Sequence, residues 1–199
     1  MKKFSIVIPT YNHLEDLLAP CIESIVRNTD LSNVEVIVVA NGCVDNTREY
    51  VASLDSDIFK LVWFDDPLGY TKATNEGIKV STGEYVILFN NDCTLLDWQY
   101  KNQWIDMLYE PFEKYPKIGI TGPSRLINEP VNRYFLVGFC LMVKRSLFDI
   151  VGLLDEIYSP GAGEDTELCY LLEDAGYRAF KVPDDSYVWS YETPFPIFH

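Results

Sequence analysis

The run Gly83-Glu84-Tyr85-Val86-Ile87-Leu88-Phe89-Asn90-Asn91-Asp92-Cys93 decides how the chain is read. From Tyr85 to Phe89 every residue is β-branched, aromatic or leucine, which suits a strand buried on both faces of a parallel sheet. Asn90, Asn91 and Asp92 end the run, and ligands of open α/β sheets collect just outside the carboxyl ends of the strands. A carboxylate at that point suits a hard divalent cation, which prefers oxygen ligands and can bridge protein to phosphate. Asn and Asp also stop strands as plain turns, so the stretch alone leaves both readings open.

Upstream, strand and helix patterns alternate. Phe4 to Ile8 is an apolar run stopped by Pro9, with Thr10-Tyr11-Asn12 as a ligand-facing loop. Leu14, Leu17, Leu18, Cys21, Ile22 and Ile25 give a helix to about Arg27, with Pro20 a kink. Val34 to Val39 reads as a second buried strand, and Asp45 as the cap of the helix that follows. Phe59 to Phe64 is a third strand, and a helix from about Tyr70 to Lys79 leads into the opening stretch. Such alternation implies right-handed crossovers and a parallel sheet.

Downstream the pattern is less regular. A helix is expected over Asp97 to Tyr109, with Pro111 and Pro116 in a connection, then a core strand at Ile118-Gly119-Ile120. Arg133 to Val143 reads as one or two strands interrupted by Gly138, and Lys144 to Phe148 begins a short helix. Leu168, Leu171, Leu172 and Ala175 stripe a helix led by Glu164-Asp165 and ended by Gly176. Arg178 to Val182 is a last short strand, and Tyr187 to His199 an aromatic, proline-broken tail.

The 199 residues suffice for one domain with a full core, and 48% apolar with 23% charged residues is a globular composition. A formal net charge of -14 argues against a nucleic-acid surface. An anionic small molecule would need a metal, a helix N-terminus or a local cation to offset that field. The five cysteines form no CxxC pair, which suggests neither a zinc site nor a disulfide framework and fits a reducing, cytoplasmic setting. No signal peptide or membrane span is evident, and peripheral attachment to a membrane stays open.

Together, Ser5-Ile6-Val7-Ile8-Pro9-Thr10-Tyr11-Asn12, Asn41-Gly42-Cys43-Val44-Asp45-Asn46-Thr47, Asn75-Glu76-Gly77, Asn90-Asn91-Asp92 and Gly163-Glu164-Asp165-Thr166-Glu167-Leu168 resemble glycosyltransferase family 2. The resemblance implies a GT-A fold, a single Rossmann-like, mostly parallel α/β sheet flanked by helices. Residues 1–183 would form the domain, 1–92 its nucleotide-binding half and 93–183 its acceptor half, with 184–199 a tail. It also implies inverting transfer from a nucleotide diphosphate sugar, UDP-linked by expectation, to a carbohydrate or lipid-linked carbohydrate acceptor.

On this resemblance Pro9, Thr10, Tyr11, Asn41, Lys72 and Asn91 receive the donor nucleotide. The Asn41 amide oxygen would accept the base N–H, and Lys72 would add charge near the phosphates unless it is an ordinary solvated lysine. Asp92, with the neutral oxygen of Asn90, would hold Mg²⁺ or Mn²⁺ against the diphosphate. Asp165 matches the catalytic base, with Glu164 beside it. Acidic residues in a first helical turn are also common for stability alone. Gly138, Phe139 and Trp98 match positions that line sugar and acceptor, although aromatics there pack as readily into a core.

The sequence departs from the pattern in three places. Ala40 replaces a frequent Asp, and Leu171 stands where an Arg is often found. Val188-Trp189-Ser190-Tyr191 lacks a metal-binding His, so His199 could serve only if the tail folded back. The missing His, the single carboxylate of Asn90-Asn91-Asp92 and the short C-terminal stretch keep a catalytically weak nucleotide-sugar-binding or accessory domain as the rival reading. A nucleotidyltransferase and a Rossmann dehydrogenase rank lower, since neither a Gly-rich basic loop nor GxGxxG follows the first strand.

Overall fold

The computed structural model describes residues 3–97, 101–129, 131–183 and 195–199. Four parallel strands come first: β1 (Phe4–Thr10), β2 (Val34–Asn41), β3 (Phe59–Phe64) and β4 (Tyr85–Phe89). Between them lie a π-helical turn (Leu14–Leu18) running into α1 (Ala19–Asn28), then α2 (Thr47–Ala52) and α3 (Tyr70–Val80). Every residue of β1, β2 and β4 is buried, as suits largely apolar strands covered on both faces.

Two prolines act differently from the sequence expectation. Pro9 lies within β1, beyond Val7, where pairing with β4 stops and only β2 remains alongside. A strand with one open side tolerates a missing donor. Pro20 sits in the first turn of α1, where its lost N–H is an orphan in any case.

The remaining elements are β5 (Thr94–Leu95), α4 (Gln103–Lys114), β6 (Ile118–Gly122), β7 (Arg125–Asn128), β8 (Arg133–Leu136), β9 (Cys140–Lys144), α5 (Phe148–Val151), α6 (Glu164–Asp174), β10 (Arg178–Lys181) and β11 (Ile197–Phe198). The main sheet has seven strands in the order β10-β6-β9-β4-β1-β2-β3. Only β9 runs against its neighbours, antiparallel to both β4 and β6. Two features were missed from sequence: the β7–β8 hairpin and the antiparallel pairing of β11 with β5. The expected helix over Asp97 to Tyr109 is instead α4, which runs through Pro111. Trp104, Ile105, Leu108 and Pro111 are buried together, so packing on the sheet carries the helix past its breaker.

Alternation along the strands builds two core layers. Ile6, Ile8, Val36, Val38, Ile87 and Phe89 face α1 and α4. Val7, Ile37, Val39, Val86 and Leu88 face α3 and α6. At Gly77 of α3 an added Cβ would lie 2.3 Å from a Val7 methyl, so only glycine lets this helix approach β1 so closely. The expected tail ends inside the first layer, where Phe195 and Ile197 are buried. Among the described residues all five cysteines are free and buried, and no helix is long and apolar enough to cross a membrane.

One buried charge fastens the sheet at the end away from the motif loops. Glu35 of β2 is 1% exposed. Its carboxylate accepts from Ser5 Oγ (2.6 Å), Lys60 Nζ (2.6 Å), and the Thr82 N–H and hydroxyl (2.6 and 2.9 Å). Ser5 Oγ in turn accepts from Gly83 N–H at 2.8 Å, so β1, β2, β3 and the entry to β4 share one network. Burial raises the Glu35 pKa, but the bonds from Lys60, Ser5 and Thr82 outweigh it and bring it down to about 2. A carboxyl depressed in the folded state contributes stability above its unfolded pKa and loses it as pH falls. Glu35→Gln should therefore cost about 3 kcal/mol at neutral pH. Denaturant titrations should show that difference closing between the ordinary glutamate range and pH of about 2.

Candidate active site

The tip of β4 is organised by the start of β9. Cys140 lies opposite Phe89, which sets the preceding dipeptide, Gly138-Phe139, over the Asn90–Cys93 turn. The Asn90 N–H donates to the Phe139 carbonyl at 2.9 Å, and Cys93 Sγ donates to the same oxygen at 3.5 Å. On its other side the Gly138 N–H donates to Asp165 Oδ2 at 2.9 Å. A Cβ at Gly138 would lie 3.2 Å from both the Cβ and Oδ2 of Asp165, so a glycine suits this approach. Asp165 Oδ1 accepts from the Thr166 N–H at 2.6 Å and its hydroxyl at 3.2 Å. The Asp92 turn and the first turn of α6 thus meet through one dipeptide.

Glu164, beside Asp165, is buried, and its Oε2 accepts from the Ala162 N–H at 2.7 Å. Burial first, and then the Asp165 charge, raise its pKa. Tyr70 opens α3 against the same loop: its N–H donates to the Pro160 carbonyl at 2.7 Å. Burial, then the charges of Glu164 and Asp165, push its phenol well above the usual range. Ser159 Oγ donates to the Leu68 carbonyl at 2.9 Å, so the loop before α3 and the loop before α6 are bound together.

Between these loops and the ends of β1 and β2 lies an open cleft of about 530 Å³, lined by Tyr11, Asn41, Leu68, Tyr70, Ser159 and Pro160 among others. Asn91 Nδ2 donates to Thr10 Oγ1 at 3.0 Å, joining the tips of β4 and β1. The N-cap position of α2 is Asn46, not the expected Asp45, which sits one residue earlier: its Oδ1 accepts from the Thr47 N–H (3.2 Å) and its Oδ2 from the Leu14 N–H (3.0 Å). Two residues expected to contact the donor have partners within the chain. The Asn41 amide oxygen accepts from the Leu68 N–H, which orients the amide and leaves its NH₂ and the second lone pair of the oxygen for other partners. Lys72 is half-exposed, with Glu156 as a distant partner at 3.9 Å.

His199 reaches this site. The antiparallel pair Ile197↔Leu95 and Phe198↔Thr94, with the Leu96 N–H donating to Pro196 O at 3.0 Å, folds the chain end back along the residues that follow Asp92. His199 Nε2 lies 3.6 Å from Asp92 Oδ1, and its ring stacks on Phe139 with centroids 4.5 Å apart at 13°. Phe139, expected against a sugar, therefore supports the imidazole. His13 is exposed and bonds Asp16 at 3.0 Å. Trp98 and Val188 to Tyr191 lie outside the described residues.

Carboxylate and imidazole suit a divalent transition cation, and two ligands about 2.1 Å from one ion at tetrahedral angles stand about 3.4 Å apart, close to the observed spacing. The Asn90 amide oxygen is buried without a hydrogen-bond partner in the same turn, a further oxygen donor that a bound ion or water can satisfy. The residues present fit a cation.

A seven-stranded, mostly parallel sheet with one reversed strand beside the motif strand, and carboxylates gathered at its carboxyl edge, defines the GT-A class. The family model of Glycosyl transferase family 2 matches residues 5–157, and the chain belongs to that family. It is 25% identical over 218 residues to the O-antigen biosynthesis protein RfbC of Myxococcus xanthus, covering 88% of this chain and 16% of that one. The chain thus spans about a sixth of that relative's length. Its fold is similar to that of a Pyrobaculum calidifontis mannosyltransferase solved with GDP-Man and Mn²⁺ (TM-score 0.73, 20% identity, 96% of this chain and 58% of that one). It is also similar to GalNAc-T7 solved with UDP, GalNAc and Mn²⁺ (TM-score 0.74, 17% identity, 89% and 41%).

The raised pKa of Glu164 has a thermodynamic consequence. A carboxyl that is harder to ionise when folded costs stability above its folded pKa, and the cost disappears as pH falls below the unfolded value. Glu164→Gln, which keeps an acceptor for Ala162, should be at least as stable as wild type at neutral pH. Its advantage should vanish below the ordinary glutamate range in denaturant titrations over pH.

Proposed function

We propose that the chain is a glycosyltransferase domain that moves a sugar from a nucleotide diphosphate donor to a carbohydrate hydroxyl with inversion. The observation that carries this reading is the single dipeptide, Gly138-Phe139, bonded on one side to the Asp165 carboxylate and on the other to the turn bearing Asp92. A sugar held over that dipeptide would have the diphosphate towards Asp92 and the acceptor towards α6.

In the proposed reaction the acceptor oxygen attacks the anomeric carbon from the face opposite the diphosphate, which leaves with the bonding pair. Asp165 takes the hydroxyl proton. Its two oxygens are fixed by Gly138 and Thr166, so the carboxylate is aimed before the acceptor arrives. Glu164 holds the loop at Ala162 and, largely buried, shapes the acceptor side. Tyr11 and the NH₂ of Asn41 would receive base and ribose, with Pro9, Thr10 and Asn91 forming the floor beneath and Lys72 at the mouth of α3. Asp92 and His199, with Asn90 behind them, would hold Mn²⁺ or Mg²⁺, which supplies positive charge to the departing diphosphate. The Mn²⁺ named for both solved neighbours supports this cofactor. One neighbour holds UDP and the other GDP-Man, so UDP is the reading tested first. RfbC, named for O-antigen biosynthesis, favours a cell-surface glycan or its lipid-linked precursor as acceptor.

Asp165→Asn should lower transfer or donor hydrolysis by on the order of 10²-fold or more, the range of a general base. Turnover equal to wild type would remove Asp165 from the chemistry. Asp92→Asn and His199→Ala should each weaken Mn²⁺ binding at least about tenfold by calorimetry, since even outer partners of metal ligands are worth that much. A thermal-shift panel of UDP- and GDP-sugars should single out the donor, because a ligand of the native state raises its apparent stability.

A further inference from the structure

A third donor belongs to the cation site. Asp92, Cys93 and His199 each offer one ligand atom, and the three atoms lie within 4.8 Å of one another. Asp92 and His199 are exposed, while Cys93 is fully buried. As a thiol, Cys93 donates to the carbonyl of Phe139 at 3.5 Å, the residue whose ring stacks on His199, and a metal would take the place of that proton. The turn after β4 thus supplies an oxygen and a sulfur, and the residue after β11 a nitrogen, within reach of one another.

An Asp and His pair ranks divalent ions only weakly, and a hard ion such as Mg²⁺ gains nothing from sulfur. Thiolate is a soft ligand, and an Asp, Cys, His set is a chelate for zinc-like ions. From this geometry we infer that Cys93 makes the site a thiophilic-cation site, at which Zn²⁺ or Cd²⁺ displaces Mn²⁺ or Mg²⁺. The inference rests on the cation reading of Asp92 and His199 given above. Coordination replaces the S–H bond by a sulfur–metal bond, and the proton leaves to solvent. A cation gripped from below by sulfur has three protein ligands and fewer positions for a diphosphate, so the soft ion would occupy the site without serving transfer.

The test uses metal-stripped full chain with Cd²⁺ alone, reading the ultraviolet thiolate-to-cadmium charge-transfer band, and Mn²⁺ displacement by electron paramagnetic resonance. One equivalent of Cd²⁺ should raise the band and release bound Mn²⁺. Cys93→Ser should abolish the band and weaken Cd²⁺ binding at least about tenfold, while Mn²⁺ affinity stays within about threefold. Cys21→Ser, which alters a neighbouring thiol 3.7 Å from the Asn90 carbonyl, should keep the band. If Cys93→Ser does not fold, His199→Ala supplies the check, because loss of the imidazole should lower Cd²⁺ affinity at least about tenfold. No band in wild type, a band retained in Cys93→Ser, or unchanged Cd²⁺ affinity in His199→Ala each overturns the inference. These readouts need no donor or acceptor, so a failed transfer assay leaves them intact. Conversely, Mn²⁺ binding without the cadmium band rejects the role of Cys93 and spares the transfer reading.

Discussion

The antiparallel seating of β9 on β4 is the constraint on which the site depends. Four parallel strands alone would end in loops that diverge from one another, each followed by its own helix. Setting Cys140 against Phe89 brings the chain back to the tip of β4 from the opposite direction. The dipeptide before β9 thereby lies across the tip with backbone groups free on both sides. Its carbonyl takes the N–H of Asn90, and the N–H of Gly138 goes to Asp165. Shifting that register by one residue would turn the dipeptide over and separate the two acidic turns.

Acidic groups crowd this molecule, yet each one that matters is managed by a different device. At the closed end of the sheet, Glu35 is kept ionised by hydrogen bonds from three elements and serves as a fastener. At the open end, Asp165 is held by two backbone N–H groups but remains partly accessible. Glu164 next to it has fewer donors, and burial dominates, so its charge is disfavoured. Neighbouring carboxylates in one helical turn thus differ in character because one faces the loop interior and the other faces the β9 dipeptide.

The sequence was most legible where local pattern and final environment agree. β1, β2 and β4 are buried along their whole length because both faces are covered, whereas the stripe expected on α6 holds only in part: Leu168 and Leu172 are buried against the sheet, and Leu171 and Ala175 are exposed. Asp92 stood out because it follows such a strand, and Asp165 only through the family resemblance, since acidic residues in a first helical turn are common for stability alone. Long-range facts were not legible. Nothing local shows that Phe195 and Ile197 enter the core or that His199 lands beside Asp92, since a two-residue strand has no periodicity to read. The alternation of Phe195 and Ile197 was a faint cue, masked by Pro196. The occupied oxygen of Asn41 depends on where the loop at Leu68 comes to rest, and the helix through Pro111 on packing that outweighs a local breaker.

The short clip between β5 and β11 ties His199 to its place through very few backbone bonds. So small a pairing has little free energy of its own, and the burial of Phe195 and Ile197 in the first core layer holds the rest. An ion gripped by Asp92 and His199 would add its binding energy to the clip, while docking of the chain end would in turn raise the ion's affinity by the same factor. On the cation reading, loading of the site and closure of the β5–β11 clip would be one equilibrium, with a signature in amide exchange at Leu96 far more than in the strands beneath it.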